Sequence, residues 1–154
     1  MNGDGFGPQV VPVLAARLGV DWDQLEQYRV DMGARTAGTV QLLASWQWQV
    51  TRFEVEATKS LTDRTAWTGA DLLGGLYTRD RLQSCLDRLP APLAERVGEV
   101  VAEVDDRFRA ITAPDDGGLI KAFDPTTNPT AGGWWWRRVP TSGAIHDDLL
   151  AGGV

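Results

Sequence analysis

The residues best suited to a chemical role form an aromatic and basic run near the carboxyl end, Trp-Trp-Trp-Arg-Arg, which follows two glycines. Tryptophan and arginine are enriched at binding hot spots, because a rigid ring and a planar guanidinium bury large areas at a small entropic cost. We therefore expect this run to form a partner-binding surface. The candidate contact residues are Trp134, Trp135, Trp136, Arg137 and Arg138.

Three consecutive indole rings cannot all face one core. Neighbouring side chains alternate faces on a strand and are about 100° apart on a helix. We expect Trp134 and Trp136 to share a side and Trp135 to point away from them, which leaves its ring near the surface. The alternative is that the three rings clamp the carboxyl-terminal segment onto the rest of the chain, because each ring buries a large apolar area when it packs internally.

Two further positions carry groups that can ligate metals or act as nucleophiles. His146 is the only histidine, and Asp147 and Asp148 follow it. Adjacent residues point in different directions, whereas a metal site needs three or four converging ligands, so we predict a polar helix start and no metal site. Cys85, the only cysteine, lies in an apolar helical stripe, where a free cysteine behaves as a small buried hydrophobe.

Linear signatures of common enzyme sites are absent from the sequence: a dinucleotide-binding glycine motif, a P-loop, a nucleophile elbow and a zincin motif. Three aspartate pairs remain, and we expect them on solvated helix faces or in turns: Asp105-Asp106, Asp115-Asp116 and Asp147-Asp148. The sequence Asp115-Asp116-Gly117-Gly118 is typical of a turn. We therefore predict neither catalytic residues nor a cofactor, while a site assembled from residues scattered in sequence stays open.

Trp67-Thr68-Gly69 forms a Trp-x-Gly sequence between two helical regions. In that respect it resembles the turn of the small helical-hairpin WXG proteins exported by type VII secretion. The resemblance covers three residues. The signal of that family, Tyr-x-x-x-Asp/Glu, has its nearest match here in Tyr77-Thr78-Arg79-Asp80, which is one residue too short. A secreted helical hairpin is therefore only a minor alternative.

Composition indicates one folded domain, because 43% of the 154 residues are hydrophobic and seven are tryptophans. The net charge of −6 disfavours nucleic acid, which binds clustered basic surfaces, and is compatible with a basic protein partner. One cysteine excludes an intramolecular disulfide. The sequence shows neither a secretory signal nor an apolar stretch long enough to span a membrane, so we expect a cytoplasmic protein with no membrane partner.

Hydrophobic periodicity predicts the elements that position these residues. The main prediction is a long helix over 39–61, which contains no Gly or Pro and has apolar residues alternately three and four positions apart. Residues 62–77 are predicted as a loop with one helical turn at 70–73, 113–133 as a loop, and 134–139 as an extended piece. Further helices are predicted over 8–18, 21–33, 78–89, 92–112 and 142–150.

These elements predict a mainly α fold, a four- to five-helix bundle around the long central helix, with an irregular Trp-rich carboxyl-terminal arm. We expect a single domain over residues 1–154. In that domain the helical bundle covers 1–113, and the arm, 114–154, packs back on it.

Together these observations predict a non-catalytic protein-binding module. Its most concrete form is a cytoplasmic inhibitor of the immunity-protein or antitoxin type, because an acidic inhibitor is steered toward the basic cleft of its target. A structural or assembly subunit of a phage particle or secretion machine is the alternative. A further alternative is a small-ligand binder or enzyme with an aromatic-lined pocket between Trp46, Trp48, Trp67 and the carboxyl-terminal tryptophans. The sequence leaves the oligomeric state open.

Overall fold

The computed structural model describes residues 16, 17, 19, 25, 27–31 and 36–152. The fold is mainly α, as predicted. Over the continuously described residues 36–152 the helices are α1 (Thr39–Glu56), α2 (Gly69–Arg88), α3 (Ala91–Ala110), α4 (Leu119–Phe123) and α5 (Ala144–Leu150), with one 3₁₀ turn, Trp134–Arg137. The strands are β1 (Arg29–Asp31), β2 (Thr36–Gly38), β3 (Thr112–Pro114) and β4 (Arg138–Pro140).

Two helices predicted near the start of the chain have different outcomes. The helix over 8–18 lies almost entirely outside the described residues. The helix over 21–33 is wrong at its end, because Arg29–Asp31 is a strand that pairs antiparallel with Thr36–Gly38. The apolar spacing that favoured a helix is weak evidence over so short a segment, and strand pairing between residues close in sequence overrides it.

The chain divides into two compact units, which we describe separately. The first contains the described residues up to Gln49 together with Thr78–Asp105, and the second contains Val50–Tyr77 together with the described residues from Asp106 onward. Three long helices contribute residues to both units. Each unit contains buried apolar residues, for example Leu43 in the first and Phe108 in the second.

The first unit has a charged pair within its core. Oδ1 of Asp105 accepts hydrogen bonds from Nε1 of Trp46 at 3.0 Å and Nε of Arg79 at 2.9 Å, and Oδ2 accepts from Nη2 of Arg79 at 2.9 Å. The prediction that Asp105 is solvated is therefore wrong, because a bidentate guanidinium and an indole N–H replace the water that the carboxylate loses. Cys85 is fully buried in the same unit, as predicted, and burial raises the pKa of its thiol.

α1 ends five residues before the predicted position, at Glu56 instead of residue 61. The Glu56 side chain is buried and accepts hydrogen bonds from Nη2 of Arg52 at 3.2 Å and from the backbone N–H of Trp67 at 2.8 Å, with Nζ of Lys59 3.2 Å from its other oxygen. The carboxylate thus draws the chain after the helix back toward its last turn. No Gly or Pro marks this end, so the pattern could not predict it.

α2 begins at Gly69, nine residues before the predicted start at Thr78. The helical turn predicted at 70–73 is part of this helix, and the loop predicted around it is wrong from Gly69 onward. Asp71 accepts a hydrogen bond from the backbone N–H of Thr68 at 2.8 Å, and the buried Asp148 accepts one from the N–H of Gly69 at 2.7 Å. Two carboxylates therefore bind amide groups that a helix start leaves unpaired. These contacts outweigh the three glycines that argued for a loop.

The second unit holds the carboxyl-terminal arm through a small sheet and a close backbone contact. β3 pairs antiparallel with β4, with Ala113 opposite Val139. Gly143, which precedes α5, has φ +91°, and a Cβ there would lie 2.6 Å from Cα of Ala57. Only glycine tolerates both this backbone conformation and this approach. The arm therefore packs against the chain that follows α1.

Among the described helices, none combines the length and the apolar character that crossing a bilayer requires.

Candidate functional site

The three tryptophans lie on a 3₁₀ turn, not on the predicted extended piece. The two preceding glycines make this possible, because the rings fold back over them. A Cβ at Gly132 would lie 2.5 Å from Cδ1 of Trp136, and a Cβ at Gly133 would overlap the six-membered ring of Trp135. The Gly-Gly pair before the run is therefore a packing requirement of the two indoles.

The exposure of the rings reverses the sequence prediction. Trp135 and Trp136 are each only 5% exposed, whereas Trp134 is half-buried. A three-residue turn separates successive side chains by about 120°, so the alternation expected of an extended strand does not apply. The ring left near the surface is Trp134, and the expectation that Trp135 points outward is wrong.

The rings also differ in their neighbours. Trp136 meets Tyr77 edge to face, with ring centroids 4.9 Å apart. Trp134 contacts Trp135 edge to face at 5.7 Å and Phe108 at 6.2 Å. The guanidinium carbon of Arg109 lies 3.8 Å from the centroid of the Trp134 ring, a cation–π arrangement. Trp135 and Trp136 thus hold the arm in place through buried ring contacts. Trp134 contacts both Trp135 and the guanidinium of Arg109.

Trp134 and Arg109 line a pocket of about 700 Å³ in the second unit, a size usual for ligand sites. We call it the Trp134 pocket. Four cationic and two anionic side chains line it, so its lining carries a net charge of +2 in a chain whose total charge is −6. Its lining residues are Arg109, Pro114, Asp115, Asp116, Gly118, Lys121, Asn128, Pro129, Thr130, Trp134, Arg137 and Arg138.

Three of the four cations are held by uncharged oxygens. Nη1 of Arg137 donates to the carbonyl oxygens of Pro129 and Gly132, both at 3.1 Å. Nε and Nη2 of Arg138 donate to Oγ1 and the carbonyl oxygen of Thr112, both at 2.9 Å. Because carbonyl and hydroxyl oxygens carry no formal charge, these contacts orient the cations without neutralising them.

The third of these cations is Lys121, whose Nζ donates to the carbonyl oxygens of Pro125 and Thr127, both at 2.6 Å. Arg109 differs, because its Nη1 forms a salt bridge of 3.1 Å with Asp106. Within the described residues Arg109 is the only pocket cation that forms a salt bridge. The pocket therefore keeps a local excess of positive charge.

Asp115 organises the pocket wall. Its Oδ1 accepts from the N–H of Leu119 at 2.7 Å, its Oδ2 accepts from the N–H of Ile120 at 3.0 Å, and its own N–H donates to the carbonyl oxygen of Arg137 at 2.9 Å. The turn predicted at 115–118 is confirmed, with Gly118 at φ +65°. Asp115 thus joins α4 to the 3₁₀ turn, and Asp116 is left exposed beside it.

Of the five residues predicted from the run, the structure brings Trp134, Arg137 and Arg138 into one pocket and buries the other two. Sequence reasoning missed Arg109 and Lys121. Arg109 is in the last turn of α3, 25 positions before Trp134, and no spacing rule connects them. A basic residue in the last turn of a strongly amphipathic helix was the only available signal.

The other candidate groups have structural contacts. Nδ1 of the half-buried His146 donates to the carbonyl oxygen of Pro140 at 2.7 Å. Asp147 is exposed, whereas Asp148 is buried and accepts a hydrogen bond from the N–H of Gly69. The prediction of a solvated pair therefore holds for Asp147 only. In the part of the chain that the structure describes, no three histidine, cysteine or acidic side chains form a group that could hold a metal ion.

No protein-family model, curated protein or solved structure matches this chain. The Trp67-Thr68-Gly69 resemblance therefore receives no support from family comparison. In the structure Trp67 packs edge to face on Phe53, with ring centroids 5.8 Å apart, beneath the guanidinium of Arg52. The geometry of the Trp134 pocket is thus the main basis for a functional proposal.

Proposed function

We propose that the protein is a non-catalytic binding protein, and that it docks a partner protein on the Trp134 pocket through Trp134, Arg137 and Arg138. The observation that carries this proposal is the pocket of about 700 Å³ in which cations held on carbonyl oxygens surround a half-buried indole. Tryptophan and arginine contribute strongly to binding when a partner excludes water from them.

The pocket chemistry supports binding over catalysis. Its described lining contains no histidine, cysteine or serine. The carboxylate of Asp115 is engaged by two backbone N–H groups, so it is already committed to holding α4. What remains is a set of hydrogen-bond donors, one exposed carboxylate and an aromatic ring, which suit recognition.

As the concrete form of this function we propose an inhibitor of the immunity-protein or antitoxin type. The support is the net charge of −6 on a chain of 154 residues, since an acidic inhibitor associates quickly with a basic target. In this form the acidic remainder of the surface steers the encounter, and the Trp134 pocket provides the specific contact.

The test is affinity capture of the tagged protein from its native cell, with mass spectrometry of what copurifies. Arg137→Glu is compared with wild type, and Arg64→Glu is the matched control, because Arg64 lies in the exposed turn after α1 and outside the pocket. We expect one stoichiometric partner that Arg64→Glu retains and Arg137→Glu loses, at equal melting temperatures.

Two results would contradict the proposal. Retention of the same partner by Arg137→Glu would place the contact elsewhere on the molecule. Capture of further copies of the same chain alone, with association that increases with concentration, would favour the assembly-subunit alternative.

A further inference from the structure

The donor atoms of Arg137 favour a planar anion. Its Nη1 is engaged with two carbonyl oxygens, while Nε and Nη2 make no hydrogen bond with the residues that the structure describes. Nε and Nη2 lie on one edge of the guanidinium and donate in parallel, in a geometry that fits the two oxygens of a carboxylate. Arg137 is exposed, so this edge is accessible to a ligand.

Arg109 repeats this arrangement at the aromatic side of the pocket. Its Nη1 pairs with Asp106, and its guanidinium stacks on Trp134. Nε and Nη2 form no hydrogen bond within the described residues. Stacking fixes the plane of the guanidinium, so less side-chain entropy is lost when this edge binds an anion. The pocket thus has two oriented guanidinium edges and an indole beside one of them.

Asp115 disfavours phosphate in the pocket. Many phosphate sites use several backbone N–H groups that converge on the anion. Here the N–H groups of Leu119 and Ile120 are taken by the Asp115 carboxylate. Asp116 adds a second negative charge to the lining, which repels a dianion more strongly than a carboxylate.

The charge of the second unit disfavours long polyanions. Outside the pocket lining, the described residues of this unit include four cationic and eight anionic side chains, a net charge of −4, whereas the lining carries +2. A nucleic acid longer than the pocket would meet this excess of negative charge, whereas a short acidic segment keeps its charges within the pocket.

We propose that the occupant of the Trp134 pocket is an acidic segment of the partner protein. Its glutamate or aspartate carboxylates bind Arg137 and Arg109, and an apolar side chain next to them packs on Trp134. A volume of about 700 Å³ exceeds what one carboxylate fills and leaves room for that neighbouring side chain. This inference rests on the proposed function, and it names the chemistry of the partner at the same site.

The experiment measures fluorescence anisotropy of a labelled short peptide of alternating glutamate and leucine, titrated with the full chain. The matched peptide has glutamine in place of glutamate. We expect the glutamate peptide to bind at least about tenfold more tightly, because each charged hydrogen bond contributes more than a neutral one. Its affinity decreases as the ionic strength is raised.

Variants assign this binding to the pocket. Arg137→Gln and Arg137→Lys are each expected to weaken the glutamate peptide about tenfold, since lysine keeps the charge and lacks the paired donors. Arg64→Gln is the control and should change nothing. Equal affinity for the two peptides, or an unchanged affinity in both Arg137 variants, would overturn the inference.

Competition distinguishes the possible sources of the anion. Inorganic phosphate and a single-stranded oligothymidylate are added to the preformed peptide complex. We expect neither to displace the peptide beyond the effect of their ionic strength, and tighter binding of either would contradict an acidic protein segment. Pocket-dependent capture of a partner together with failure of the glutamate peptide would refute this inference alone. Failure of the capture experiment would refute the proposed function, whatever the peptides do.

Discussion

Replacement of Trp135 by alanine tests the reversal of exposure within the tryptophan run. The ring is 5% exposed and packs edge to face against Trp134. A buried tryptophan removes about 150–250 Å² from water, and at about 25 cal/mol per Å² this corresponds to about 4–6 kcal/mol. Measured losses for Trp→Ala in cores are about 3–5 kcal/mol, and we expect Trp135→Ala to lower the free energy of unfolding by that amount.

Urea unfolding followed by far-ultraviolet circular dichroism measures this change, because the signal reports mainly helix content, whereas fluorescence would combine the other six tryptophans. Trp134→Ala is the matched comparison. We expect it to lose less, since the Trp134 ring is only half-buried and its contact with Arg109 contributes about 0.5–1 kcal/mol at an accessible site. An unfolding free energy of Trp135→Ala within about 1 kcal/mol of wild type, or a larger loss in Trp134→Ala, would refute the assignment of Trp135 to the core.

Two further experiments test the second unit. Gly69→Ala should lower the free energy of unfolding by about 1–3 kcal/mol, because the new Cβ would lie 2.8 Å from Cε2 of Phe123. Gly74→Ala is the control in the same helix: its Cβ meets nothing within 4 Å, so it should raise the free energy of unfolding by up to about 1 kcal/mol. Equal effects of the two substitutions in thermal unfolding would contradict this packing. Thr126→Val should raise the pKa of Asp124 in a nuclear magnetic resonance titration, because the Thr126 hydroxyl and then its N–H hold that pKa below its ordinary value. Because the Asp124 pKa is lower in the folded than in the unfolded state, this carboxylate stabilises the fold above the unfolded pKa, and the contribution is lost as pH falls through the folded pKa. An unchanged Asp124 pKa in Thr126→Val would show that the hydroxyl contact is absent in solution.

The periodic parts of the chain were predictable. The apolar stripe of α1, with Leu43, Trp46, Val50 and Phe53, is buried as its spacing predicts. α3 begins and ends within two residues of the predicted range, and α5 also lies where it was expected. These segments carry a 3.6-residue repeat over one or more turns, so local sequence and tertiary packing favour the same structure.

The boundaries of α1 and α2 were missed, because carboxylates that bind backbone N–H groups set them. Glu56 binds the N–H of Trp67, in the segment after α1, and Asp148 binds the N–H of Gly69, 79 positions before it in the chain. Asp148 and Gly69 are too far apart for any local sequence window to contain both. Asp71, which accepts from the N–H of Thr68, is a local signal for the start of α2, and in the sequence interpretation the three glycines outweighed it.

The candidate site also has features that the sequence predicts and features that only the tertiary structure determines. The sequence by itself identified the whole run Trp134–Arg138 as a candidate contact, because the chemistry of tryptophan and arginine is a property of each residue. Tertiary structure alone decided which indole is accessible, because that depends on a 3₁₀ turn permitted by Gly132 and Gly133. Tertiary structure also decided the charge of the pocket, because its cations come from separate elements and three of them are held on uncharged oxygens. Contacts of this kind produce no recognisable spacing of residues in the sequence.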